Sequence, residues 1–230
     1  MGAAPTIHLQ PTAPLAERVL MPGDPGRALM FAQTLLDDPK MFNHNRGLWG
    51  YTGTAADGEP LTIQSSGMGG PSAAIVVEEL VMLGARRIVR VGTCGALAPG
   101  FELADLVVAA GAVCEDGTSR ALSGRDRVMA DGVLTDALAN ASGGHVGDVA
   151  SVDLFYGPNP ASPPRDALAI EMEAATLFAL GALREFSAGA LLVVTDTFAA
   201  NGERSRITPE ALLAAAEHAG RAAAAALSDG

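Results

Sequence analysis

The sequence predicts a single α/β domain with a central mixed, largely parallel β-sheet flanked by helices. Three observations carry this. Leu61-Thr62-Ile63 reads as a strand, Ser65 to Pro71 as a glycine-containing loop, Ser72 to Leu83 as a helix that Gly84 ends, and Arg87 to Val91 as a second strand. That order is a βαβ crossover, so the two strands are expected to be parallel and to lie side by side. Two further runs, Asp105 to Val113 and Ala190 to Asp196, have the near-continuous apolar character of strands covered on both faces. Finally, 230 residues that are 49% hydrophobic and only 4% aromatic, with 27 glycines, suit one closely packed core.

The remaining elements follow in order. Residues 1–14 have no helical period and read as an arm that needs a covering surface, leaving 15–228 as the domain itself. Arg18 to Met21 is a short strand and Pro22 to Gly26 a turn, with Arg27 opening a helix over Ala28 to Leu36. Asp24 is placed to cap that helix and Pro25 fits its first turn. Trp49 to Thr54 and Leu61 to Gln64 make strands joined through the Asp57-Gly58 turn. Residues Glu115 to Asp131 form either an excursion across a site or a surface loop. Gly132 to Ala141 reads as a helix and His145 to Val152 as a strand. Asn201 to Arg206 is a polar loop, and Thr208-Pro209-Glu210 starts an alanine-rich helix that runs to about Leu227.

Several function classes are excluded by composition. A formal net charge of −11, from 15 basic and 26 acidic residues, argues against a nucleic-acid surface, because phosphate backbones need clustered Lys and Arg. No apolar stretch has the length of a membrane span. The N-terminus lacks the charged start and apolar core of a secretory signal. Cys94 and Cys114 are too few for a disulfide scaffold and read as reduced thiols of a cytoplasmic protein.

Chemistry concentrates at strand ends, where open α/β sheets bind ligands. Arg90-Val91-Gly92-Thr93-Cys94-Gly95 combines a guanidinium, a hydroxyl and two glycines. Gly23 and Arg27 offer a close backbone and a second cation, and Arg46 a third without a local acidic partner. Glu171 and Glu173 are embedded in an apolar run, where unpaired charge is expensive, so they require hydroxyl or cationic partners. Phe155 and Tyr156 either pack a strand end or make a platform for a planar ligand. Asp196 ends an apolar strand, as a turn cap or as a catalytic group. A phosphate takes hydrogen bonds from guanidinium forks and backbone amides, and a sugar diol donates to carboxylates. The inventory fits a nucleoside and inorganic phosphate better than a dinucleotide, whose glycine spacing is missing.

These segments, with Met21 to Arg27, Asn45-Arg46-Gly47, Tyr51-Thr52-Gly53, Gly67 to Ser72, Asp153 to Tyr156, Glu171 to Ala175 and Thr195-Asp196, resemble in order and spacing the purine nucleoside phosphorylase and uridine phosphorylase family. Within it the chain is most similar to the small hexameric purine nucleoside or methylthioadenosine phosphorylases. The resemblance implies a phosphorylase/hydrolase-like fold and phosphorolysis of purine nucleosides, with 5′-methylthioadenosine as the alternative substrate. It implies inorganic phosphate as co-substrate, no metal or other cofactor, and a homohexamer built as a trimer of dimers.

It also assigns residues. Gly23, Arg27, Arg90 and Thr93 bind phosphate, joined by Arg46 from a neighbouring subunit. Met172 and Glu173 hold the ribose, with His8 reaching the 5′ end from the neighbour. Cys94, Gly95, Phe155 and Glu171 lie against the base. If His8 acts in this way, subunit contact orders the arm. Asp196 resembles the general acid that protonates purine N7, a role in which it must hold a proton at neutral pH; burial and a phosphate dianion favour that.

Uridine phosphorylases instead use a glutamine and arginine pair on the uracil, and no such pair follows Phe155. Hydrolytic nucleosidases lack the Gly-Asp-Pro and arginine set. A non-catalytic nucleoside sensor would relax the phosphate arginines, which are all present. Two departures from the family pattern stand out. The loop after Asp196 differs, leaving Arg204 or Arg206 to assist the acid, and the segment 158–169 is short.

Overall fold

The computed structural model describes residues 6–156, 166–198 and 203–228. Eleven strands and six α-helices alternate along it. Strand β1 (Arg18–Met21) leads to α1 (Pro25–Leu35), and β2 (Asp37–Asn43), β3 (Gly50–Thr54) and β4 (Pro60–Gln64) form a meander. Then come α2 (Gly70–Leu83), β5 (Arg87–Ala96) and β6 (Leu106–Glu115). Helix α3 (Gly117–Ser123) and β7 (Arg127–Met129) precede α4 (Gly132–Ser142) and β8 (His145–Val152). The chain ends with β9 (Ala169–Glu171), α5 (Ala174–Arg184), β10 (Ser187–Phe198), β11 (Arg204–Arg206) and α6 (Pro209–Ser228).

The sheet is mixed, and its core pairings are parallel: β4 with β1, β1 with β5, β5 with β10, β6 with β8 and β8 with β9. Strands β4 and β5 are parallel as the crossover requires, but they are not neighbours. β1 lies between them, with Val19 opposite both Thr62 and Ile88. A crossover fixes strand direction but not adjacency, and the four-residue β1 fills the gap. The sheet also closes on itself, since β10 pairs with β6 and the short β9 returns antiparallel to β5. Register shifts at Ala109/Gly111 and at Val194/Asp196 mark bulges in this ring, and bulges bend and twist strands sharply.

Several elements lack a clear sequence signal. Strand β2 begins Asp-Asp-Pro-Lys, with its first five residues exposed and Asp38 at φ 46°; this polar, irregular run is an edge strand, the place where Pro and charge blunt further pairing. The excursion after β6 contains α3 and β7. Within the predicted polar loop, Arg204 to Arg206 pair with β10. Of the short 158–169 segment, residues 158–165 lie outside the described residues, as do 201–202.

Helices cover both faces. On one, α2 and α5 contribute Val76, Val77, Leu80, Leu177 and Phe178; on the other, α1, α4 and α6 contribute Phe31, Leu134, Leu138, Ala219 and Ala223. The small side chains of α6 permit close approach: a Cβ at Gly220 would stand 2.7 Å from Phe31 Cε1. Caps set the helix starts as read from the sequence. Asp24 accepts from the N–H of Arg27 at 2.7 Å, and Thr208 from that of Ala211 at 3.2 Å.

Candidate active site

The ends of β1, β4, β5, β9 and β10 converge on one cleft. At its floor Arg90, only 4% exposed, donates from Nε to Glu171 at 2.9 Å and pairs through Nη2 with Glu173. Burial alone would lower the pKa of Arg90, but the Glu173 and Glu171 carboxylates outweigh it and raise it, so the guanidinium stays charged. Gly92 makes room for it: a Cβ there would lie 2.7 Å from Arg90 Cζ.

Glu171 is saturated by protein donors. Besides Arg90 it accepts from the Ser151 hydroxyl and from the backbone N–H groups of Glu173 and Ala174 at the start of α5. Burial pushes its pKa up, Arg90 pulls it down, and the nearby Glu173 carboxylate adds to the upward push. These donors engage the Glu171 carboxylate, which in turn orients Arg90. Glu173 accepts from the backbone N–H of Gly69 as well as from Arg90. It faces the loop before α2, beside Met172, which is partly exposed.

The β1–α1 turn supplies the second cation. It is stitched to the loop after β4 by Ser66 N–H to Pro22 O at 2.9 Å and Gly67 N–H to Gly23 O at 3.1 Å. A Cβ at Gly23 would press on Gly67 O at 3.1 Å and approach Arg90 Nη1 at 3.9 Å, so glycine lets this backbone run beside the guanidinium. Arg27 lies in the first turn of α1, and its guanidinium has no hydrogen-bond partner among the described residues. Its pKa is lowered by burial and then by the positive charge of Arg90, against a smaller pull from Asp24 and Glu173. Two like charges at one glycine turn are relieved by an anion between them. Thr93, half-buried on β5, completes this side.

Asp196 is placed by the bulge in β10, where the pairing with β5 skips Thr195. The skip brings adjacent side chains together: the Thr195 hydroxyl donates to Asp196 Oδ2 at 2.9 Å. Across the β10–β11 hairpin, Arg204 Nε donates to Oδ1 at 2.8 Å, whereas Arg206 Nε is 3.9 Å away. The loop that departs from the family pattern thus carries an arginine onto Asp196. Arg204 also lies over the Phe155 ring, 5.6 Å from its centroid, and Phe155 packs edge-on against Tyr156. Both rings are exposed, as is Phe198, whose Cε2 would be 3.7 Å from a Cβ at Gly95. Cys94 is buried, and burial raises its pKa, so it lines the floor as a neutral thiol.

His8 and Arg46 lie away from this cleft in their own chain. Residues 6–14 are docked on that same chain: Leu9 is fully buried, Gln10 N–H donates to Asn43 at 2.9 Å, and three successive N–H groups from Ile7 to Leu9 reach the Glu79 carboxylate. Arg46 is exposed in a 3₁₀ turn at φ 58°, ψ 18°, without a hydrogen bond among the described residues. Holding a non-glycine residue in this left-handed region costs roughly 1–2 kcal/mol. Near these residues α2 presents Ile75 and Met82, and Ile7, Trp49 and Met68 are also exposed.

Glu79, Ser151 and Phe198 carry parts of the arrangement that the motifs did not single out. Only Glu79 had a sequence signal, as a carboxylate one turn after Val76 on an otherwise buried helical face. Among the described residues no group of three His, Cys, Asp or Glu side chains could hold a metal ion, and no helix is long and apolar enough to cross a membrane.

A family model described as the phosphorylase superfamily matches residues 17–229. Over 206 residues the chain is 38% identical to a DeoD-type purine nucleoside phosphorylase of Shewanella denitrificans, spanning 84% of this chain and 85% of the relative. It is 40% identical over 198 residues to a guanosine phosphorylase of Halorubrum lacusprofundi, spanning 82% and 81%. Among solved structures, a uridine phosphorylase from Vibrio fischeri complexed with 6-hydroxy-1-naphthoic acid matches with a TM-score of 0.81 at 26% identity, over 94% of this chain and 93% of that one.

Proposed function

The chain belongs to the phosphorylase superfamily, and from that premise we propose that it is a purine nucleoside phosphorylase. It converts a purine ribonucleoside or 2′-deoxyribonucleoside and inorganic phosphate, reversibly, to the free base and the pentose 1-phosphate. The observation that carries this reading is the convergence of Arg27 and Arg90 at the Gly23 turn, beside a diol-binding carboxylate and an arginine-held aspartate.

In this reading phosphate lies between Arg27 and Arg90, against Gly23 and Thr93. Glu173 takes the ribose hydroxyls with Met172 beneath the sugar, and the base sits against Phe155, Cys94 and Gly95. A phosphate oxygen bonds to the anomeric carbon as the bond to purine N9 breaks. The electron pair moves into the base, where Asp196 delivers its proton to N7. The phosphate dianion stabilises the cationic sugar as it develops, an interaction strongest in the transition state. Arg204 keeps the Asp196 carboxyl aimed at the base and stabilises the carboxylate that proton transfer leaves.

Each site is completed by a second copy. The exposed Arg46, without a hydrogen bond among the described residues, and the apolar surface around Ile75, Met82 and Met68 suit a subunit contact that brings Arg46 and His8 to the neighbour's phosphate and ribose. A hexamer built as a trimer of dimers satisfies this geometry, with the cytoplasm as its compartment.

The test is the initial rate of base release from inosine, adenosine, guanosine and 5′-methylthioadenosine, each with and without inorganic phosphate. Phosphate-dependent release with formation of the sugar 1-phosphate is expected. Equal rates without phosphate would make the protein a nucleosidase.

A further inference from the structure

Glu79 stands on α2 with only 7% of its surface exposed. Its Oε1 accepts from the N–H of Ile7 at 3.1 Å and its Oε2 from that of Leu9 at 2.6 Å, while the N–H of His8 lies 3.1 and 3.0 Å from the two oxygens. His8 Nδ1 is 2.7 Å from Oε1. Burial by itself would raise the pKa of this carboxyl, but the bonds from Leu9, His8 and Ile7 outweigh it and hold it below its ordinary value. An ionised carboxylate only accepts, so the short ring contact requires the imidazole proton to sit on Nδ1. In a neutral imidazole this leaves Nε2 with a lone pair and no hydrogen. Asn45 Nδ2 donates to the carbonyl of His8 at 3.0 Å and ties the arm to the turn that carries Arg46. His8 remains 27% exposed, so its ring is open to an incoming group.

We infer that Glu79 is a positioning residue that fixes His8 as a hydrogen-bond acceptor at Nε2, and that this selects nucleosides with a free 5′-hydroxyl over 5′-deoxy and 5′-alkylthio nucleosides. The inference rests on the phosphorylase reading, in which His8 meets the 5′ end of the nucleoside held by a neighbouring subunit. A 5′-hydroxyl donates to Nε2. A thioether or methyl group has no proton to give and leaves that lone pair desolvated and unpaired, a loss that recognition sites turn into discrimination.

The test compares kcat/KM at saturating phosphate for inosine and adenosine with that for their 5′-deoxy analogues, in the wild type, His8→Ala and Glu79→Gln. The wild type is expected to favour the 5′-hydroxyl compounds by about tenfold or more, the ratio set by roughly one hydrogen bond. In both variants the ratio should fall toward one, and in Glu79→Gln the loss should fall on the 5′-hydroxyl substrates. Nitrogen-15 shifts of the His8 ring, assigned by the absence of its signals in His8→Ala, provide a readout that does not depend on turnover. They should show the Nδ1–H tautomer in the wild type and its loss in Glu79→Gln. Phosphate-dependent turnover without 5′ discrimination, equal slowing of both substrate classes in Glu79→Gln, or a wild-type Nε2–H tautomer would each overturn the inference and leave the phosphorylase reading standing. Absence of phosphate-dependent release from every nucleoside would sink that reading itself, and the inference with it.

Discussion

Arg204 donates from Nε to Asp196 Oδ1 at 2.8 Å across the hairpin of β10 and β11, and the same guanidinium lies over the Phe155 ring. One side chain thus links the aspartate to the aromatic wall of the cleft. Arg204→Gln keeps bulk and polarity but removes the charge that, in the proposed reaction, stabilises the carboxylate after proton transfer. Its kcat should fall, while phosphate KM changes little because the groups proposed to hold phosphate lie in the β1–α1 turn, on α1 and on β5. Asp196→Asn removes the proton itself and is expected to lower kcat by roughly 10²–10⁴-fold, the range for loss of a positioned general acid. Initial rates of phosphorolysis at saturating phosphate check both.

Gly92 carries a prediction about phosphate alone. A methyl group there would sit 2.7 Å from Arg90 Cζ, so Gly92→Ala must displace a guanidinium held by two carboxylates. Charge-assisted hydrogen bonds contribute about 1.5–3 kcal/mol each, so misaligning Arg90 should weaken phosphate binding by about tenfold or more. Phosphate titration by calorimetry measures this, and unchanged affinity would show that Arg90 does not contact phosphate.

The buried pair of Arg90 and Glu171 predicts a stability effect distinct from those catalytic ones. Glu171→Gln leaves Arg90 with Glu173 as its one carboxylate and puts an amide where Glu173 and Ala174 both donate N–H. Breaking a buried ion pair costs about 3–5 kcal/mol. At about 2–4 °C per kcal/mol for a chain of this size, the melting midpoint should fall by roughly 10 °C. Thermal unfolding followed by circular dichroism is the measurement.

The parts legible in the sequence were those set by neighbours in the chain. Asp24 and Pro25 announce the start of α1, and the apolar run up to Thr195-Asp196 announces β10, which continues past its bulge to Phe198. The apolar run from Arg87 to Val91 announces β5, but the turn expected at Gly92 and Thr93 is absent, because the strand continues through them to Ala96. What the chain order did not reveal depends on partners far along it. The insertion of β1 between β4 and β5 is decided by pairing of Val19 with residues more than 40 positions away, and no local periodicity encodes that choice. The apolar run around Glu171 showed that it needs partners, but not that they would be Ser151 and Arg90 from two other strands. Arg204 was visible only as one of two candidates in a polar loop; the β10–β11 register sets Arg206 opposite Asp196, yet it is the diagonal Arg204 whose Nε reaches the carboxylate.

The docking of the arm on Glu79 should be acid-labile, and the sign follows from the direction of its shift. The folded-state pKa of Glu79 lies below its ordinary value of 4.5, so protonating the folded form costs more than protonating a free carboxyl. The contribution of the clamp is therefore complete above pH 4.5 and is lost as pH falls from there through the folded value. Once protonated, the carboxyl can no longer accept from Ile7, His8 and Leu9 together, and these amides must find water. Hydrogen exchange at the three amides should stay slow from pH 7 to pH 5 after correction for intrinsic rates, then lose protection below pH 4.5 ahead of amides in the core of β5. Glu79→Gln should show the unprotected arm already at pH 7. Protection that persists in that variant would mean that Leu9 burial and the Asn43 contact hold the arm without the carboxylate.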